Sequence, residues 1–169
     1  MVISIKNKKA QQTFGMPFGV IFSIFLIIVF FMVAFFAIRA FMDTGSSVSV
    51  LAFYDDLQDE VTSVWRSQTA NRDFKINLPK EVELVCFANL SAPITGSSEV
   101  HKKIRHFEFY DANVFILPAS AAQGMEYKGI NHIDITKTTE NENPYCVKGD
   151  AKIRLEKDFY DRLVRVRGV

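Results

Sequence analysis

No aspartate or glutamate occurs before Asp43 in this 169-residue chain, although 19 acidic residues follow from there on. Catalytic signatures are missing as well. The chain has no GxSxG elbow, no P-loop, no HExxH and no glycine-rich dinucleotide fingerprint, so no nucleophile, phosphate cradle or cofactor box can be named. It has only two cysteines, Cys86 and Cys146, with no CxxC spacing and no neighbouring histidine pair, which excludes a thioredoxin-like redox motif and a zinc knuckle. From Asp43 onward there are 16 Lys+Arg against 19 Asp+Glu, a net −3. That balance argues against a nucleic-acid-binding domain, which needs a basic face to replace phosphate counterions.

What the N-terminus has is hydrocarbon. Nine of the 16 phenylalanines precede Met42. From Met16 to Ile38 no side chain is charged and only Ser23 carries a side-chain hydrogen-bonding group. About twenty apolar residues at ~1.5 Å rise cross the ~30 Å hydrocarbon layer, and a helix satisfies its own backbone groups there. A discarded secretory leader has a shorter apolar core, about 7–15 residues. A buried helix of a soluble core would need more chain around it than the remainder supplies. The expectation is a signal-anchor: residues 1–16 a basic cytoplasmic N-terminus, 17–41 a transmembrane helix starting near Pro17, 42–49 a linker, and 50–169 an extracytoplasmic α+β domain. Lys6, Lys8 and Lys9, with no nearby acid, set that orientation by the excess of positive charge on the cytoplasmic side. The bilayer is the first expected partner. A membrane protein packed against Gly15 and Gly19, a small-xxx-small spacing, is another, and self-assembly is a third.

Beyond the Asp43–Ser47 stretch, expected to break the helix, a second periodic segment begins. Val50, Tyr54, Leu57, Val61, Val64 and Trp65 recur at three- and four-residue steps, with Asp55, Asp56, Asp59 and Glu60 on the other side. The stripe either packs on its own domain's sheet or joins an intermolecular helix bundle. From Phe74 onward the pattern alternates. FKINL, EVELVCF, FEFY, NVFIL, HIDIT, AKIRLE and LVRVR read as five to seven short, mostly antiparallel strands. CVKGDAKI reads as a hairpin turning at Lys148-Gly149-Asp150. Asn89–Glu99 and Lys137–Pro144 read as surface loops, and Trp65 and the later phenylalanines as core.

Cys86 and Cys146 are expected to form a disulfide in an exported domain, the alternative being two separate buried thiols. His101, His106 and His132, with Asp111 or Asp134, invite a metal reading, but the basic setting of HKKIRH and its spacing favour exposed strand-face histidines, so no metal site and no cofactor is assigned. The Asn89-Leu90-Ser91 triplet fits a glycosylation acceptor. The adjacent acids of the amphipathic segment point in different directions on a helix and make a poor acid–base pair. No catalytic residue is assigned, and an enzyme with an unrecognised site is the least favoured class.

The opening Lys8-Lys9-Ala10-Gln11, followed directly by the apolar run, resembles archaeal type IV pilin-like proteins. The resemblance covers roughly the first 65 residues. It implies a leader cut between Ala10 and Gln11 by a membrane peptidase. It also implies an apolar helix that lies in the membrane or bundles into a filament core, and a β-rich head. The competing expectation is a permanently anchored accessory subunit of a membrane complex.

Overall fold

The computed structural model describes the backbone of residues 15–169 and the side chains of 18–40 and 48–169. The expected processing site, Ala10 and Gln11, and the orienting lysines Lys6, Lys8 and Lys9 lie outside the described residues. The chain divides into two compact units, Met1–Asp43 and Thr44–Val169.

Helix α1 is assigned over Gly15–Arg66, which places Pro17 in its first turn. The expected linker at 42–49 therefore has helical backbone, a correction to the two-helix reading. The physical reason lies in the residue types. Asp, Thr, Gly and Ser each cost only about 0.5–1 kcal/mol in a helix, and none removes a backbone donor as proline would.

In the unit Thr44–Val169 two antiparallel sheets share a core with the end of α1. The first has the order β1-β6-β7, built from β1 (Ala70–Lys75), β6 (Lys152–Lys157) and β7 (Arg165–Gly168). The second has the order β4-β3-β2-β5, from β4 (Tyr127–Lys128), β3 (Val114–Leu117), β2 (Leu84–Phe87) and β5 (Tyr145–Lys148). Two short helices, α2 (Ser98–Ile104) and α3 (Ile135–Thr138), complete an α+β fold.

The helical stripe packs within its own domain, the first of the two arrangements its period allows. Val50, Tyr54, Leu57, Val61 and Val64 are essentially inaccessible. They share one cluster with Ile153, Leu155 and Val166 of the three-stranded sheet and Val85, Phe87, Val114 and Ile116 of the four-stranded sheet. Each such side chain contributes about 1.5–3 kcal/mol by leaving water. Alternate residues of β2 and β3, Cys86, Phe115 and Leu117, face a second cluster with Ile104 of α2. Both faces of these strands are thus covered, which is why they read as unbroken apolar runs.

Three expectations are corrected. CVKGDAKI is not a hairpin: β5 pairs with β2 and β6 pairs with β1, in different sheets. Gly149 serves close approach there, since a Cβ would collide with the Val82 carbonyl oxygen. FEFY is a 3-10 turn over Arg105–Phe107 and the bend after it, and HIDIT leads into α3, started by Asp134 accepting from the Lys137 N–H at 3.0 Å. Alternation over four or five residues is too short to separate strand from turn. The two surface loops also hide structure. Ser97 caps α2 inside the first, and Thr138, Thr139 and Asn143 of the second are buried.

Candidate functional site

The segment with the clearest physical demand is Phe18–Ala40. It is a 23-residue helical stretch of mean hydropathy 3.1, long and apolar enough to cross a membrane. At ~1.5 Å per residue it reaches about 35 Å, against ~30 Å of hydrocarbon. Its phenylalanines are open to their surroundings; Phe30 is 72% and Phe31 73% exposed. Its one hydroxyl is satisfied locally, Ser23 Oγ donating to the Gly19 carbonyl at 2.8 Å, so the stretch presents no orphaned polar side chain. Arg39 lies over the Phe35 ring at 4.8 Å, its charge drawn along the apolar surface near the segment's end. Gly19 meets nothing within 4 Å of where a Cβ would be.

Cys86 and Cys146 are brought together by β2 and β5, whose register pairs them directly. Their sulfurs are at bonding distance, 2.15 Å, closing a separation of 60 residues. Cys86 is fully buried in the second cluster.

Asn89 is half-buried. Its Oδ1 accepts from the Ser91 N–H at 3.2 Å, while its main chain is held by Asn143: the Asn89 N–H donates to Asn143 Oδ1 at 3.0 Å and its carbonyl accepts from Asn143 Nδ2 at 2.8 Å. Asn143 also donates to Pro93 O at 3.1 Å, and its own N–H donates to Thr95 Oγ1 at 2.9 Å. The residue is 3% exposed, so this side chain acts as the peg on which the 89–97 segment hangs. Nothing in its sequence setting, a polar run before a proline, distinguishes it from an ordinary turn residue.

The histidines are not brought together. His101 lies in α2 and His106 in the following 3-10 turn, a correction to their strand-face placement. His132 stacks on Trp65 with ring centroids 3.8 Å apart and planes 6° from parallel. Among the described residues no group of three or more His, Cys, Asp or Glu could hold a metal. The acidic face of α1 is partly paired: Asp55 reaches Lys128 at 3.4 Å and Glu60 reaches Arg72 at 3.0 Å. Two phenylalanines read as core are exposed instead, Phe109 at 94% and Phe159 at 63%. They sit in turns, where no layer lies opposite to cover them.

The outward face of the three-stranded sheet carries Asn71, Asp73 and Lys75 of β1, Lys152, Arg154 and Glu156 of β6, and Arg165 and Arg167 of β7. Arg154 Nε lies 2.8 Å from Asp73 Oδ1, and this bond holds the Asp73 carboxyl below its usual range. Arg167 reaches Glu156 at 3.4 Å. At the β7 edge a short bond from Lys137 Nζ likewise lowers the Asp161 carboxyl. In the core, burial and then the Glu126 charge raise the Tyr54 hydroxyl, which donates to the Met125 carbonyl at 3.0 Å.

No family model, curated protein or solved structure matches the chain.

Proposed function

We propose that this is a non-enzymatic single-pass membrane protein, anchored by Phe18–Ala40, that presents the α+β domain outside the cytoplasm as a pilin-like subunit of a surface or secretion assembly. The observation that carries the reading is the apolar stretch itself, 23 residues at mean hydropathy 3.1 with side chains that only hydrocarbon would cover at no cost. Two further features support it. The Cys86–Cys146 pair suits an oxidising compartment, where such a bond persists. The order of parts, an apolar helix running into an amphipathic one and then a β-rich head, is the order the resemblance implies. Asn89 is the candidate glycan acceptor in that compartment.

Intact mass of the protein extracted from membranes separates this from the accessory-subunit reading. A chain beginning at Gln11 supports pilin-like processing. A chain beginning at Met1 or Val2 removes it and leaves a permanent anchor, for which the open surface at Gly19 is the natural packing position against another helix.

A further inference from the structure

We infer that the groove beside Asn89 seats the first sugar of a glycan carried by Asn89 itself, with the Tyr110 ring as its stacking wall; this rests on the reading of Asn89 as a glycan acceptor. Of the polar groups of Asn89, the N–H and carbonyl are held by Asn143, and Oδ1 accepts from the Ser91 N–H. What is left is Nδ2, the atom a glycan joins. It reaches solvent, because the one buried side-chain N or O without a partner among the described residues is Arg165 Nε. Attachment joins that nitrogen to the anomeric carbon of a sugar activated as a phosphate ester, with loss of one amide proton and of the phosphate leaving group. The three bonds Asn89 makes now survive the substitution, since none of them uses Nδ2.

The groove has the chemistry of a sugar site. Its volume is about 240 Å³, and Asn89, Ser91, Glu108, Tyr110 and Asp111 are among the residues lining it. Clefts for drug-sized ligands begin at about 300 Å³, so this one suits a single ring. A pyranose has an apolar C–H face that stacks on the negative face of an aromatic ring, and a rim of hydroxyls that donate charge-assisted bonds to carboxylates. Tyr110 supplies the ring, 56% exposed. Glu108 and Asp111 supply exposed carboxylates that have no hydrogen-bond or ion-pair partner among the described residues. The wall is fixed in advance. The Tyr110 ring packs on Tyr127 with centroids 4.9 Å apart, and the Ala88 N–H donates to the Asn113 carbonyl at 3.1 Å. The Asn113 side chain is itself pegged, accepting from the Ile130 N–H at 2.8 Å and donating to the Ile130 carbonyl at 2.9 Å. A ring that lands there has little left to order, which keeps the cost of binding low. Asn89 also borders a second groove, with Thr136, Thr139 and Glu140. No aromatic residue lines that one, and Thr139 Oγ1 already donates to the Ile135 carbonyl.

The test uses the full chain in lipid nanodiscs, made in one host that attaches N-linked glycans to exported proteins and in another that attaches none. Hydroxyl-radical oxidation of single aromatic residues is then followed by mass spectrometry. Tyr110 should be oxidised about threefold more slowly in the glycosylated chain, because a tethered ring at millimolar effective concentration covers it most of the time. Phe109 and Tyr160, 94% and 92% exposed, line neither groove at Asn89 and should react alike in the two forms. Equal rates for Tyr110 in the two forms overturn the inference while the acceptor reading stands. Equal slowing of all three aromatic residues also overturns it, because the shadow of a mobile glycan then suffices. A chain whose mass shows no glycan on Asn89 in the glycosylating host overturns the acceptor reading itself, and the seat with it.

Discussion

Cys86 of β2 and Cys146 of β5 face each other as register partners, their sulfurs 2.15 Å apart although 60 residues of chain lie between them. One bond therefore ties the central region of the four-stranded sheet to its edge strand and encloses β3, β4, α2 and α3 in a single loop. In the chain-entropy relation a loop of that size removes about 4 kcal/mol of denatured-state freedom. The Cys86→Ser and Cys146→Ser variants should each lose stability on that order in urea denaturation. The wild-type chain, thiol-blocked, should run faster on a non-reducing gel than on a reducing one. Unchanged mobility would mean the pair is reduced in the native protein.

The helical stripe gives a second expectation. Leu57 is fully buried between the sheets, whereas Asp59, two residues on, is exposed. Leu57→Ala should cost about 2–5 kcal/mol by lost transfer energy and the cavity left behind. Asp59→Ala should stay within about 0.5 kcal/mol. Denaturation of the two variants under the same conditions checks the contrast; similar effects would mean the stripe is not core.

Asn143 carries a third. Its removal leaves the main-chain N–H and carbonyl of Asn89 without the partners they have now, in a half-buried position. Asn143→Ala should cost about 1–3 kcal/mol. Hydrogen exchange should speed up over residues 89–97 first, with α1 amides beyond Val50 unaffected. Uniform acceleration would point to global loosening instead of a lost peg.

The fourth concerns pH. Asp73 and Asp161 have carboxyls held below their ordinary range, each first by a hydrogen bond from its cation, Arg154 and Lys137 respectively. A carboxyl depressed on folding contributes stability above its unfolded pKa, near 3.9, and that contribution is lost as pH falls through the folded value. The wild type should therefore lose stability below about pH 4 more steeply than Asp161→Asn or Asp73→Asn. Urea midpoints across the acid range show it; parallel curves would mean these pairs are broken in solution.

Legibility followed length and period. The apolar run from Met16 and the stripe from Val50 to Val64 each span several helical turns, so their burial or exposure could be read from spacing alone. The disulfide was legible because only two cysteines exist, once a compartment had been inferred. Strands of four residues were less so. AKIRLE alternates cleanly because one face of β6 is wet, while FEFY and HIDIT alternate by coincidence inside turns. Sheet membership could not be read at all: β5 and β6 are separated by three residues yet belong to different sheets, because partners distant in sequence decide it. Asn143 was invisible for the same reason, being defined by what folding brings opposite.

The central claim is that the apolar helix is a span with the domain on the far side of the membrane. Labelling intact spheroplasts with a membrane-impermeant amine reagent tests it most directly, with lysine positions read by mass spectrometry. The account predicts that Lys80, Lys102 and Lys103 react before permeabilisation and that Lys6, Lys8 and Lys9, where they remain in the chain, react only afterwards. Domain lysines that stay unlabelled until the membrane is opened would contradict it.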